Sequence, residues 1–317
     1  MTTYLVTGAN GFIGRHLTNE LADDDNIVYG ISRRIPDDFI VEHPDIKYEQ
    51  CNLIDHASVF ETLKRIRPDC IFHLAAESSV ASSWKSPINI MNNNILSQIN
   101  VFEAIRELEL STRIIIACSS EEYGLVQESD IPVNEKCCFN PVSTYAVSKI
   151  AQDMLAFQYY KSYNMDIIRV RSFNVEGTGR PPNYSLSSFA SQIAEIEKGV
   201  GKNTILVGNL NVKRDYTDVR DAVKAYHQVA IKGKSGSVYN LCSGKAHSLR
   251  DLLDFLVSLS NIQIKIEVDK NRFRPSDIPL MLGDNTKIKT EIGWTPEIDI
   301  HDTLVDLLNY WRSYKSI

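Results

Sequence analysis

The chain has 317 residues, 43% hydrophobic and 23% charged, with a formal net charge of −6. This fits a soluble globular protein of about two domains with a substantial core, and the acidic balance argues against nucleic acid or an anionic membrane surface as partner. The six cysteines show no CxxC spacing, so no metal and no redox dithiol are expected. No apolar run approaches the ~20 residues of a membrane span, and no leader precedes the first strand, which makes cytoplasm the expected location.

Tyr4 to Thr7 read as a short buried strand. Gly8, Gly11 and Gly14 follow at spacings of three, and the residues after Phe12 keep helical periodicity through Ile13, Leu17 and Leu21. A strand that turns through glycines into a helix aims backbone N–H groups and the positive helix end at one point, which suits a pyrophosphate. A second strand, 27–31, ends in Ser32-Arg33-Arg34. An acidic residue near this place holds a ribose 2′-hydroxyl, whereas arginine accommodates a 2′-phosphate. The expected cofactor is therefore NADP(H), with NAD(H) the alternative.

A third strand, 46–51, runs into Asn52-Leu53. A helix over 55–66 is capped by Asp55 and stops before Pro68. Strand 69–76 ends in small residues that leave room for a ligand, and His73 within it reads as structural. A long helix spans 88–109. Strand 113–118 is nearly all apolar, as in a parallel sheet buried on both faces. Ser119 to Gly124 close it, and a helix from Tyr145 to about Asn164 leads to strand 165–173.

Beyond Asn174 the chain becomes rich in Gly, Pro, Ser and Asn. Helix 189–198, strand 204–207, a basic run at 213–216, helix 218–231 and strand 237–242 follow. Helix 248–260, strand 262–268 and helix 301–314 complete the chain. Alternating strands and helices predict an α/β fold with a doubly wound parallel sheet. The expected division is a dinucleotide-binding domain over 1–174 and 213–244 and a smaller substrate lobe over 175–212 and 245–317.

Ser119, Tyr145 and Lys149 are the candidate catalytic group. Tyr145 and Lys149 are four apart at a helix start and share a face. A lysine cation beside a tyrosine is expected to lower the phenol pKa, and a serine hydroxyl can bond the same substrate oxygen. Such a set moves a proton on or off an alcohol or ketone while a nicotinamide moves the hydride.

These motifs resemble the extended short-chain dehydrogenases/reductases acting on nucleotide sugars. The resemblance runs over nearly the whole chain, through Thr7 to Gly14, His73 to Ala76, Asn94, Ser119, Tyr145, Lys149 and Asn174. Stretches 119–124, 207–210, 214–221, 240–244 and 274–277 are most similar to the branch that reduces a GDP-4-keto-6-deoxyhexose to GDP-rhamnose. The GDP-mannose 4,6-dehydratases look related and share Glu121, their dehydrating base. Asn52 stands where the family usually has Asp, and Thr178 where it usually has Pro.

The resemblance implies cofactor contacts from Gly8, Asn10, Gly11, Phe12, Ile13, Gly14, Ser32, Arg33, Arg34, Asn52, Leu53, Leu74, Ala75, Ala76, Tyr145 and Lys149. It implies substrate contacts from Ser78, Ser120, Asn174, Val207, Asn209, Arg214, Arg274 and Asp277. The two arginines also suit a nucleoside diphosphate on chemical grounds. A homodimer through the 88–109 and 145–164 helices is expected. The alternatives are a 4,6-dehydratase, a 4-epimerase, or a nucleotide-sensing regulator without turnover, which would have little use for Ser119, Tyr145 and Lys149 together.

Overall fold

The computed structural model describes residues 1–22, 26–35, 45–273 and 277–314, and the statements below concern those residues. The strands in chain order are β1 (Thr3–Thr7), β2 (Ile27–Ser32), β3 (Lys47–Gln50), β4 (Cys70–His73), β5 (Arg113–Ser119) and β6 (Ile167–Ser172). They continue as β7 (Asn174–Glu176), β8 (Thr204–Val207), β9 (Lys213–Asp218), β10 (Val238–Leu241), β11 (Ala246–Ser248), β12 (Lys265–Val268) and β13 (Leu280–Met281). Seven of them form one parallel sheet in the order β3-β2-β1-β4-β5-β6-β10. The strand order reverses about β1, whose neighbours β2 and β4 both run parallel to it, so a crevice opens at the carboxyl ends of those strands.

Both faces of this sheet are covered, which is why β5 reads as an unbroken apolar run. Tyr4, Val6, Phe72, Ile115 and Val170 bury on one face with Tyr226 and Tyr239. Leu5, Ile71, Ile114 and Ile116 bury on the other with Phe102 and Ile105. Neighbours along β1 alternate between the two clusters, as the period of a strand requires.

Helix boundaries follow local chemistry. Asp55 caps His56–Ile66 by accepting from Ala57 N. Ser143 caps Thr144–Tyr163 by accepting from Ala146 N, and Asn164 ends that helix in the left-handed region. A third cluster, with Leu186, Phe189, Ile193, Leu253, Leu304 and Leu307, joins the helices Ser185–Glu197, Leu249–Ser258 and Ile300–Ser313.

Several elements differ from the sequence expectation. The run at 213–216 is the start of β9, paired with β7, β11 and β13. Its polar residues hid a buried strand because their partners are distant: Arg214 meets Asp277, and Asp215 accepts from Ser243, Gly244 and Gly283. Helix Val80–Lys85 was unforeseen, since Ser83 is its one buried residue. Helix Thr286–Ile292 was unforeseen too; it buries Ile288 and Ile292 in the cluster of Tyr226 and Tyr239. The helix expected from 189 begins at Ser185. No helix is long and apolar enough to cross a membrane.

Candidate active site

One cavity of about 1210 Å³ runs along the carboxyl ends of the sheet and into the region beyond β6. Its first part is built by the loop after β1. Gly8 turns the chain at φ 70°, and a Cβ on Gly14 would stand 2.3 Å from Gly8 O, so the helix Phe12–Leu21 can pack this closely only through glycine. That helix begins at Gly11 with no side-chain cap. Its first N–H groups therefore stay available, and Gly11, Phe12 and Ile13 border the cavity. Uncapped donors at a helix start, with no Cβ in the way, fit the pyrophosphate of a dinucleotide.

Asn10 braces this loop by donating to Arg34 O at 2.6 Å, and Ser32 Oγ donates to the same oxygen. The side chains of Arg33 and Arg34 are exposed at the rim of the cavity. Asn52, Leu53, Leu74, Ala75 and Ala76 border the same part. His73 is fully buried beneath it. Burial drives its pKa down to about 3, and its Nδ1 lies 3.1 Å from Thr7 Oγ1, which fits the structural role expected of it.

Ser119, Tyr145 and Lys149 come together at the end of β5 and the start of helix Thr144–Tyr163. Tyr145 and Ser119 share a side-chain hydrogen bond. Lys149 Nζ donates to Ala117 O at 2.7 Å and to Gln152 Oε1 at 2.8 Å. Burial dominates here and pushes the Tyr145 phenol pKa up, against the smaller lowering by Ser119. This corrects the expectation that Lys149 lowers it: in this arrangement the lysine's protons are held by other acceptors. Burial also lowers Lys149 itself. Tyr145 is thus a phenol that keeps its proton at neutral pH.

Glu121 borders the cavity, whereas Glu122 points beneath it and is fully buried. Glu122 Oε1 accepts Ser119 N at 2.8 Å. Cys118, Glu122 and Asp153 bring their donor atoms within 4.8 Å of one another. Positive charge is already supplied there, because Arg171 Nε lies 3.3 Å from Glu122 and 2.9 Å from Asp153. Arg169 pairs with Asp153 at 2.8 Å. The cluster is an ion network.

Ser78, Ser120, Asn174, Val207, Asn209, Arg214 and Asp277 border the other part of the cavity. Arg214 pairs with Asp277 at 3.2 Å, and Asn209 donates to the same carboxylate at 2.8 Å. Arg274 lies outside the described residues. Asn94 is buried below, where it accepts from Glu77 N and donates to Ser148 Oγ, tying the loop after β4 to the Tyr145 helix.

Sequence reasoning missed Arg180 and Tyr184. The Arg180 guanidinium lies 3.5 Å from the Tyr184 ring centre and 4.9 Å from that of Phe12, and it pairs with buried Glu176 at 3.9 Å. Both stand in a Gly- and Pro-rich stretch without periodicity, so only composition marked the region. Glu122 was missed because its neighbour Glu121 carried the motif.

The family model described as GDP-mannose 4,6 dehydratase matches residues 5–307. GDP-6-deoxy-D-mannose reductase of Pseudomonas aeruginosa is 30% identical over 308 residues, covering 97% of this chain and 96% of that protein. GDP-mannose 4,6-dehydratase of Sinorhizobium fredii is 28% identical, covering 98% and 96%. The solved structure of RMD from Pseudomonas aeruginosa complexed with NADPH superposes with a TM-score of 0.87 at 28% identity, covering 99% of both chains.

Proposed function

The chain belongs to the GDP-mannose 4,6 dehydratase family of extended short-chain dehydrogenase/reductase enzymes, and on that premise we propose that it reduces the 4-keto group of GDP-4-keto-6-deoxy-D-mannose to GDP-D-rhamnose with NADPH. The observation that carries this reading is the set of Ser119, Tyr145 and Lys149 at one wall of a cavity whose other end carries an uncapped helix start beside Arg33 and Arg34. The similarity to the Pseudomonas aeruginosa reductase supports it.

Bound NADPH would supply the hydride for C4. The protein's own work is to hold the sugar and deliver a proton. Tyr145 gives its proton to the oxygen at C4 as negative charge develops there, and Ser119 bonds the same oxygen. The raised phenol pKa keeps that proton in place until the charge appears. Lys149, by the family resemblance, also holds the nicotinamide ribose. Arg214 and Asn209 stand where the nucleoside diphosphate would lie. Of the substrate residues past 174, Val207, Asn209 and Asp277 belong to the smaller lobe and border the same cavity as the dinucleotide-binding part.

A homodimer through the helices Pro87–Glu107 and Thr144–Tyr163 belongs to the same reading. Leu96, Val147, Met154 and Phe157 on those helices are exposed large hydrophobic side chains, and a symmetric pair is the commonest oligomer geometry.

The second reading is a 4,6-dehydratase, favoured by Glu121 at the cavity wall. The test incubates the protein with NADPH and GDP-4-keto-6-deoxy-D-mannose, and separately with GDP-mannose. Stoichiometric loss of NADPH absorbance with the keto sugar supports the reductase. Dehydration of GDP-mannose without net cofactor change replaces it with the dehydratase.

A further inference from the structure

The Lys149 ammonium carries three N–H donors. One goes to Ala117 O on β5 at 2.7 Å, and another to Gln152 Oε1 at 2.8 Å, three residues on along the same helix. One donor is left, and Lys149 borders the cavity. Ala117 O is strand backbone, which any residue there would supply. Gln152 is the acceptor that residue type decides, and no step described so far uses it.

Packing does not account for a glutamine at 152. Its side chain is fully buried, at one of the inner positions of helix Thr144–Tyr163. An ammonium only donates, so Gln152 must turn its oxygen toward Lys149. Its Nε2 is then buried with no hydrogen-bond partner among the described residues. A buried donor left without a partner costs stability, and an apolar side chain of the same shape would avoid that cost. What the apolar side chain would lack is the contact with Lys149. Gln98, fully buried on helix Pro87–Glu107, donates its Nε2 to Gln152 O at 2.7 Å. The backbone that carries Gln152 is thereby tied to the neighbouring helix.

We propose that Gln152 is a positioning residue for this active site: its side-chain oxygen, together with Ala117 O, fixes the Lys149 ammonium so that the one remaining donor is presented to the cavity. In the reductase reading, on which the cofactor readout rests, that donor meets the nicotinamide ribose. Without the Gln152 oxygen a buried ammonium has a second unmet donor. The lysine then turns toward another acceptor or gives up a proton. Either change removes the preorganised donor and weakens NADPH binding.

The experiment compares the unmutated protein with Gln152→Met, Gln152→Glu and Gln98→Leu, with thermal melting of each as a control on folding. Met keeps the shape and removes the oxygen. Glu keeps an acceptor oxygen at the same reach. The NADPH Kd, measured by calorimetry, should rise roughly tenfold in Gln152→Met and stay within about threefold of the parent in Gln152→Glu. Gln98→Leu breaks the tie between the helices and leaves the acceptor in place. It should lower the melting temperature and leave the Kd within about twofold. An unchanged Kd in folded Gln152→Met overturns the proposal. A loss of affinity in Gln98→Leu or Gln152→Glu as large as in Gln152→Met also overturns it, because packing would then explain the effect. If Gln152→Met fails to fold, Gln152→Leu carries the same expectation.

The hold on the ammonium is also read without cofactor or substrate, by NMR of nitrogen-labelled lysine, with the Lys149 signal assigned from Lys149→Arg. Its protons should exchange with water about tenfold faster in Gln152→Met than in the parent, and at the parent's rate in Gln152→Glu. Equal exchange in all three overturns the proposal. If the unmutated protein binds no NADPH, the cofactor reading falls and the exchange rates decide this one.

Discussion

The hydroxyl of Tyr184 lies 2.7 Å from Ser78 Oγ, joining the start of helix Ser185–Glu197 to the loop after β4 across the cavity. The bond links the segment that should hold the sugar nucleotide to the wall that should hold the nicotinamide. Tyr184→Phe removes it and keeps the ring against Arg180. A hydrogen bond of this kind contributes about 1 kcal/mol. KM for the keto sugar should rise about fivefold while the NADPH Kd, measured by fluorescence quenching, stays the same. An unchanged KM would detach this pair from substrate binding.

Tyr145→Phe removes the proton donor and keeps the buried ring. Turnover should fall by about 10²–10⁴, with folding and NADPH binding intact. Glu121→Gln should leave ketone reduction mostly active, because no proton is taken from C5. Loss of turnover in Glu121→Gln, with only slowing in Tyr145→Phe, would move the assignment to a dehydratase.

Arg33 is exposed at the cavity rim, 3.9 Å from Glu77. Arg33→Asp should weaken NADPH at least tenfold more than NADH, because the substitution replaces a 2′-phosphate partner by a repelling charge. Equal Kd changes for the two dinucleotides, measured by calorimetry, would reject the 2′-phosphate role.

Glu176 is buried, and burial raises its pKa from 4.5 to about 7 against the opposing charge of Arg180. A raised carboxyl pKa means that the folded state prefers the protonated acid. The associated stability is complete below pH 4.5 and declines as pH rises toward 7, by up to ~3 kcal/mol. Glu176→Gln cannot ionise, so urea unfolding at pH 5 and pH 8 should show a smaller loss of stability in the variant. Parallel losses in both chains would show that Glu176 is not the group responsible.

Light scattering at micromolar concentration should give a dimer mass. Phe157→Glu, at an exposed position of helix Thr144–Tyr163, should give a monomer with its fold intact by circular dichroism. A monomeric parent would remove the helix pair from the account of assembly.

Local chemistry alone determined much of this protein. The glycine spacing at 8, 11 and 14 dictates a strand-turn-helix, because only glycine tolerates the φ at Gly8 and the contact at Gly14. Apolar runs such as 113–118 dictate strands buried on both faces, Asp55 marks a helix start through its side chain, and Asn164 marks a helix end by its left-handed backbone. Tyr145 and Lys149 were legible as a pair because one helical turn separates them.

Other features depend on partners far along the chain, and only the tertiary structure decided them. β9 is a buried strand because Asp277, Ser243 and Gly283 satisfy its charged side chains from 28 to 68 residues along the chain. Tyr145 holds its proton because burial outweighs the hydrogen bond from Ser119, and Lys149 turns to Ala117 and Gln152 instead. Glu121 and Glu122 are the same side chain one position apart. The short helical turn after β5 sends one to the cavity and the other under Ser119, where its Oε1 accepts the Ser119 backbone N–H and Arg171 lies beside it.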